Sequence, residues 1–327
     1  MTLTGAILAA GLGTRLRPLT AQHPKPLVPV AGRPLLEYGA DHLRRVGCME
    51  IGVNAYHLAS QVDAYASGSD TPFFVVEEKV LRGTGGGIRG IAKQRPNDTL
   101  VVVNGDALFD FDLTDVLAAH KRRGALGTLA LRYVEPSAPF GRVGIDGGGR
   151  LHRVAEVSSP GADALTLFYG AYTGVQIIEP ELIERIPDGP CDILRTAYAD
   201  VMTERGPVYG HFVPAASLWL DVGNIERYLH AHWAIIDGDI TVDHLPCVDF
   251  RQRRISERAT VSKEATIIGP AVIMPGSVIE AGATVGPYAF VDRDCHVRSG
   301  ALLKHTVVWP NTVVTESHEH TVVYRSD

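Results

Sequence analysis

From Val261 onward, apolar residues return every six positions: Val261, Ile267, Ile273, Ile279, Val285, Val291, Val297, Leu303 and Trp309. Four residues after each comes Ala265, Ala271, Ser277, Ala283, Ala289, Cys295, Ala301, Val307 or Val313, mostly small side chains suited to a tight corner. A β-meander alternates in twos and does not hold such a phase. A period of six marks a parallel β-helix, in which stacked turns of chain bury a narrow continuous core. These hexads make about three coils, which is short for a β-helix that carries out catalysis itself.

Upstream the pattern changes. Between Gly5 and Ile236, short apolar runs at Ala6 to Ala10, Ile51 to Asn54, Phe73 to Val76 and Leu100 to Val103 read as buried parallel strands. Helix-like stretches lie between them, such as Leu35 to Val46, which stops at Gly47, and Leu113 to Arg123, which stops at Gly124. The expected fold class is α/β: a Rossmann-like, doubly wound, mostly parallel sheet followed by a C-terminal left-handed parallel β-helix of hexapeptide repeats. The expected division is a first domain over residues 1–236, a linker over 237–258 and the β-helix over 259–327. In a doubly wound sheet, ligands sit beyond the carboxyl ends of the strands.

Composition narrows the partners. With 327 residues, 45% of them hydrophobic, the chain can bury a large core. Its formal charge of −6 argues against a nucleic-acid partner, so an anionic ligand has to be met by local groups. Cys48, Cys191, Cys247 and Cys295 are scattered and form no CxxC pair, which points to reduced thiols rather than a zinc site or disulfides. The first residues have only a short apolar run before glycines and arginines. A cytoplasmic protein with no membrane span is therefore expected.

The sharpest local signal is Gly11-Leu12-Gly13-Thr14-Arg15-Leu16-Arg17-Pro18 directly after the first strand, followed by Pro24-Lys25-Pro26. Glycines let backbone N–H groups approach phosphate oxygens, and Arg15 and Lys25 supply positive charge. The GxxxxGK[ST] pattern is absent. A dinucleotide fingerprint lacks its third glycine, where Leu16 stands, and its acidic residue, where Asn54 stands. Two apolar runs end in carboxylates, Val101 to Asp106 and Trp219 to Gly223 with Asp221, and a pair of such groups on one edge suits Mg²⁺. Either Asp alone reads more readily as a cap or turn residue, and it is the pair together with the phosphate loop that favours the metal. A second glycine-rich stretch, Arg82 to Ile88, opens a helix and offers backbone groups to a planar base. Tyr228 and Trp233 lie on a helix after Asp221 and read as core.

Together these residues resemble the sugar-nucleotide pyrophosphorylases, or sugar-1-phosphate nucleotidyltransferases, especially the bacterial mannose-1-phosphate guanylyltransferase-like proteins and their muramate and heptose relatives. LAAGLGTRLRPLT, PKPLVPV, GTGGGI, VNGD and WLDVG occur in that family's order, and a C-terminal hexapeptide β-helix accompanies many members. The resemblance implies that Ala10, Gly11, Leu12, Gly13, Thr14 and Arg15 wrap the triphosphate with Lys25. It also implies that Gly83, Thr84, Gly85 and Asn104 meet the rest of the nucleotide. Asp106 and Asp221 would hold Mg²⁺, while Gly141, Glu156, Thr173 and Gly174 would line the sugar pocket. Arg15, Lys25, Asp106 and Asp221 are thereby the expected catalytic set.

Two departures stand out. Many members have Glu-Lys-Pro where this chain has Glu156-Val157-Ser158, which leaves Arg153 or Arg142 to replace the lysine. GTGGGI is nearer the muramate uridylyltransferase form than the guanylyltransferase GTAGPL. GTP with mannose 1-phosphate is the first expectation, and UTP with muramate 1-phosphate the second. Glucose or heptose 1-phosphates remain open. A homo-oligomer joined through the β-helix is expected. Rival readings are a regulatory nucleotide-sugar-binding paralogue and an acyltransferase using His296, His305, His318 or His320 of the repeat.

Overall fold

The computed structural model describes residues 2–134, 142–249 and 251–325. Two compact units emerge, and neither is one continuous stretch. The first comprises Met1–Gly13, Leu19–Leu27 and Leu35–Trp219; the second comprises Thr14–Pro18, Val28–Pro34 and Leu220–Asp327.

The first unit is built on a ten-stranded sheet. Its centre is four parallel strands in the spatial order Phe73–Glu77, Ile51–Ala55, Leu3–Leu8, Thr99–Asn104. The register pairs Leu8 with both Asn54 and Asn104. Phe168–Ile178 then adds antiparallel to Thr99–Asn104, and Gly127–Tyr133 and Val208–Phe212 extend the sheet. Alternate residues serve opposite faces, as a period of two requires. Ala6, Leu100 and Val102 pack with Ile88 and Ile91 on one side. Ile7, Val101 and Val103 pack with Leu36 and Leu43 on the other. Strands covered on both faces read as unbroken apolar runs, so the sequence shows them plainly.

Helix ends follow local rules. Asp112 accepts a 2.8 Å hydrogen bond from the Thr114 N–H at the start of Leu113–Arg123, and Gly124 closes that helix at φ 54°. The first strand ends at Leu8 rather than at the expected Ala10. The reason is a side chain: the Ala9 N–H donates to Asn54 Oδ1 at 2.7 Å instead of to a neighbouring strand.

In the second unit the hexads form short parallel strands. Thr266–Ile267 lies on Thr284–Val285, Ala271–Ile273 on Ala289–Val291, and Thr260–Val261 on Val278–Ile279. Partners are three hexads apart, and the expected positions Ile273, Ile279, Val285, Val291, Val297 and Leu303 form one buried cluster. This parallel arrangement is compatible with a β-helix. The expected phase fails at its last unit. Val291 pairs with Val308 and Val297 with Val314, so Val314 enters the core and Val313 is 55% exposed. The cause is Leu302–Val308, one continuous strand of seven residues where the hexad pattern expects a corner.

The same unit contains helix Ile225–Asp237, capped by Asn224, whose side chain accepts from the Arg227 N–H. Tyr228 is fully buried and donates to the Pro29 carbonyl; its oxygen also accepts from the Trp309 indole N–H at 2.8 Å. Trp233 differs from the core expectation, being half-buried and stacked edge-on against Tyr288 and His305. His232 is buried in the same helix, donating from Nδ1 to the Tyr228 carbonyl and accepting the Ala31 N–H at Nε2. Burial lowers its pKa to about 4.

Candidate active site

Strand order creates the site in the first unit. The chain starts in the middle of the sheet, takes its next two strands on one side, and places Thr99–Asn104 on the other. The direction of winding reverses between Leu3–Leu8 and Thr99–Asn104, and the crevice beyond such a switch is where doubly wound sheets bind ligands. A cavity of about 230 Å³ lies there, lined by Leu8, Ala10, Gly11, Asn54, Leu81, Gly83, Thr84, Asn104 and Asp106. At its edge Lys25 Nζ donates to Asp106 Oδ2 at 2.7 Å, with the lysine side chain 11% exposed and the carboxylate 33%. Gly13 is tied beneath the loop, its carbonyl accepting from Thr20 Oγ1 at 2.7 Å, while Leu12 is exposed.

Asn54 was not among the expected ligand residues, yet it organises this edge. Besides holding Ala9, its Nδ2 donates to Glu78 Oε1 at 2.8 Å, and Glu78 Oε2 accepts the Arg82 N–H at 2.9 Å. One buried relay therefore joins the first glycine loop to the second. The available signal was an amide at the carboxyl end of a buried strand, at the same level as Asn104.

The second glycine stretch forms helix Gly83–Ala92. Its missing side chains have protein neighbours as well as the cavity. A Cβ at Gly85 would lie 2.6 Å from Cys191 Sγ. The Gly85 N–H donates to the Cys191 carbonyl, and Thr84 Oγ1 accepts from the Ile193 N–H.

The expected sugar-pocket residues are spread along the other strands. Thr173 is buried and donates to the Ala130 carbonyl at 2.9 Å, at an irregularity in strand Phe168–Ile178. Gly174 faces the Asn104 amide. Glu156 is exposed and paired with Arg195, and Arg153 is paired with Asp163. Gly141 lies outside the described residues, as does the Arg142 side chain.

Arg15, Thr14 and Asp221 belong to the second unit. There Asp221 Oδ2 accepts from Arg227 Nη1 at 2.7 Å, while Oδ1 is buried with no hydrogen-bond partner among the described residues. A Cβ on Gly223 would fall 3.0 Å from Asp221 Oδ1 and 3.3 Å from Arg15 Nη2, so the bare backbone leaves room for both groups. Among the described residues, no three His, Cys, Asp or Glu side chains group closely enough to hold a metal unaided. The four cysteines are free, and no described helix is long and apolar enough to cross a membrane.

A switch-point cavity with glycine loops and a paired lysine is a setting for phosphoanhydride chemistry, and comparison with known proteins decides the lineage. The nucleotidyl transferase family model matches residues 4–238. The chain belongs to this family. Its curated relatives include proteins named as sugar-1-phosphate nucleotidyltransferases. A UTP–glucose-1-phosphate uridylyltransferase of Synechocystis sp. is 32% identical over 265 residues, covering 75% of this chain and 66% of that protein. A mannose-1-phosphate guanylyltransferase of Mycobacterium tuberculosis is 31% identical over 239 residues, covering 71% and 64%. A mannose-1-phosphate guanylyltransferase catalytic subunit beta of Danio rerio is 28% identical over 231 residues, covering 68% and 62%. The matched segment thus spans just under two thirds of these relatives' length.

Proposed function

We propose that this nucleotidyl transferase family member joins a nucleoside monophosphate from an NTP to a sugar 1-phosphate. An oxygen of the sugar phosphate attacks the α-phosphorus, a new P–O bond forms, and the bond to the departing pyrophosphate breaks. The observation that carries this reading is the Lys25–Asp106 pair beside the glycine-lined cavity at the strand switch.

No protein nucleophile is required. The chain's tasks are to align two anions and offset their repulsion. Gly11 and its neighbours present backbone N–H groups to the triphosphate, Lys25 places a partly buried ammonium beside Asp106, and Arg15 steadies the leaving group. Asp106 and Asp221 are the proposed ligands of Mg²⁺. The fit rests on their donors: Asp106 keeps one oxygen clear of Lys25 at the cavity, and Asp221 has a buried oxygen without a hydrogen-bond partner among the described residues. When bound, the metal would neutralise developing charge on the phosphates.

GTP with mannose 1-phosphate is the leading pair, supported by the names of two of the relatives above. A uridylyltransferase is the second reading, favoured by the GTGGGI stretch and by the uridylyltransferase relative. We also propose a soluble cytoplasmic enzyme with residues 1–236 as its catalytic region, 237–258 as a connector, and 259–327 as a left-handed β-helix that mediates homo-oligomer contacts.

Pyrophosphate release with Mg²⁺, measured over a grid of NTPs and sugar 1-phosphates, tests the assignment. Signal confined to GTP and mannose 1-phosphate supports the leading pair; a UTP signal selects the second reading. Silence across the grid while nucleotide sugars still bind identifies a non-catalytic paralogue.

A further inference from the structure

A second cavity in the first unit has a volume of about 420 Å³ and shares no lining residue with the one at the strand switch. Arg150, His152, Ser159, Gly161, Met202 and Arg205 stand in its wall. Two arginines face it and, among the described residues, no carboxylate lines it, in a chain whose formal charge is −6. Such a wall attracts anions. Its apolar part, Leu151 and Met202, is 1% exposed at each residue and belongs to the core cluster beneath the sheet.

One side of the wall is a fixed relay of polar groups. Asp146 Oδ1 accepts the N–H groups of Gly148 and Arg150, each at 2.9 Å, and Oδ2 meets His152 Nε2 at 3.2 Å. A carboxylate only accepts, so the neutral ring carries its proton on Nε2, and Nδ1 accepts the Ser159 hydroxyl at 2.8 Å. Ser159 is 5% exposed, and its N–H donates to the His152 carbonyl. With its proton given to His152, the Ser159 oxygen offers the cavity lone pairs, which suit a ligand hydroxyl.

The other side supplies charge. Arg150 is spent on structure: Nη1 donates to the carbonyls of Arg205 at 2.9 Å and Gly206 at 2.8 Å, and Nη2 to the Tyr209 hydroxyl at 3.2 Å. That fork holds Arg205 at φ 60°, a conformation that side chains disfavour and that persists where its surroundings enforce it. The Arg205 guanidinium is exposed at the cavity and has no ion-pair partner among the described residues. Gly161, at φ 83°, has open space where a Cβ would stand, and its N–H has no acceptor among the described residues.

We propose that this cavity is a second ligand site, which takes the phosphate monoester of a small polyol. The phosphate lies on the Arg205 fork and the Gly161 N–H, a match of planar donors to several oxygens around one centre. A hydroxyl donates to Ser159, and the carbon chain packs on Leu151 and Met202. The site does not depend on the transferase reading, because none of its residues has a task in that reaction.

Ligand-observed NMR titration of the full chain with sorbitol 6-phosphate tests the site, with inorganic phosphate and sorbitol as the two halves of the probe. Sorbitol 6-phosphate carries no anomeric phosphate, so it is not an acceptor for the proposed reaction. Wild type and Lys25→Ala should bind it with the same Kd. Arg205→Ala should raise Kd on the order of 10- to 100-fold, the loss expected for a charge-assisted hydrogen bond, with Tm unchanged. Arg205→Lys should recover part of that loss, and Ser159→Ala should raise Kd roughly 2- to 10-fold, as for a neutral hydrogen bond. No saturable binding to wild type, or an equal Kd in wild type and Arg205→Ala, overturns the proposal. Loss of binding in Lys25→Ala also overturns it, because the probe then sits at the strand switch. Inorganic phosphate binding as tightly as sorbitol 6-phosphate overturns the polyol assignment.

Discussion

The stacked hexads and the cavity at the strand switch are both rich in small residues, for opposite reasons. In the hexads a small side chain repeats because each turn meets an almost identical turn, as Ala271 meets Ala289 and Thr266 meets Thr284. At the cavity each small residue answers one distant neighbour. Gly85 answers Cys191, more than a hundred positions away, and Gly174 answers Asn104. A repeat can be read from its own period, whereas a site assembled from distant segments shows only its local half. The comparison therefore separates residues set by a local period from residues set by distant neighbours.

The largest effect should fall on the paired charges. Lys25→Ala or Asp106→Ala should lower kcat on the order of 100- to 1000-fold, as expected when a preorganised charge is removed from a developing anion. Tm should change little, and pyrophosphate release alongside a thermal melt checks both halves. A variant with near wild-type turnover would remove the chemical side of the comparison.

Next comes the core of the hexads. Ile279→Ala should cost about 2–5 kcal/mol of stability, because Ile279 is 1% exposed within the stacked cluster. Chemical denaturation measures the loss, and kcat at a permissive temperature should stay near wild type. If turnover fell while the fold held, the hexads would have to share in the chemistry.

A pH-dependent loss of similar size should come from His232. Above about pH 6.5 the ring is neutral in both folded and unfolded chain. Below that, the unfolded chain takes a proton that the buried ring, with its pKa near 4, refuses. Stability should therefore fall as pH drops from about 6.5 and level off near 4, by about 3 kcal/mol at most. Denaturation curves at stepped pH should show a shallower slope in His232→Gln.

The smallest effect is the sharpest on register. Val313→Asp should change stability by no more than about 0.5 kcal/mol, because the side chain points to solvent after the slip at Leu302–Val308. Val314→Asp should be severely destabilising, since that residue is 1% exposed in the core.

What could be read beforehand follows the same division. The four central strands and the helices Leu35–Arg45 and Leu113–Arg123 are set by apolar runs, caps and glycines close in sequence, so their existence was legible and their ends fall within one residue of expectation, except the first strand, which runs Leu3–Leu8 rather than Ala6 to Ala10. The last hexad was misread because one lengthened strand shifts everything after it. Loop motifs marked Gly11, Lys25, Thr84 and Asp106 as candidates, and the fold brings these together at one edge. Asn54 escaped because nothing in its neighbourhood repeats or forms a motif. Its place in the edge lies in bonds to Ala9 and Glu78, which only the folded chain supplies.

The most direct measurement is a crystal structure of the chain with Mg²⁺ and a non-hydrolysable NTP analogue. The account predicts the base against Gly83, Thr84 and Gly85, the phosphates along Gly11 to Arg15, and Lys25 turned toward the α-phosphate. A nucleotide bound elsewhere, with Lys25 still paired to Asp106 and the switch-point cavity empty, would contradict it.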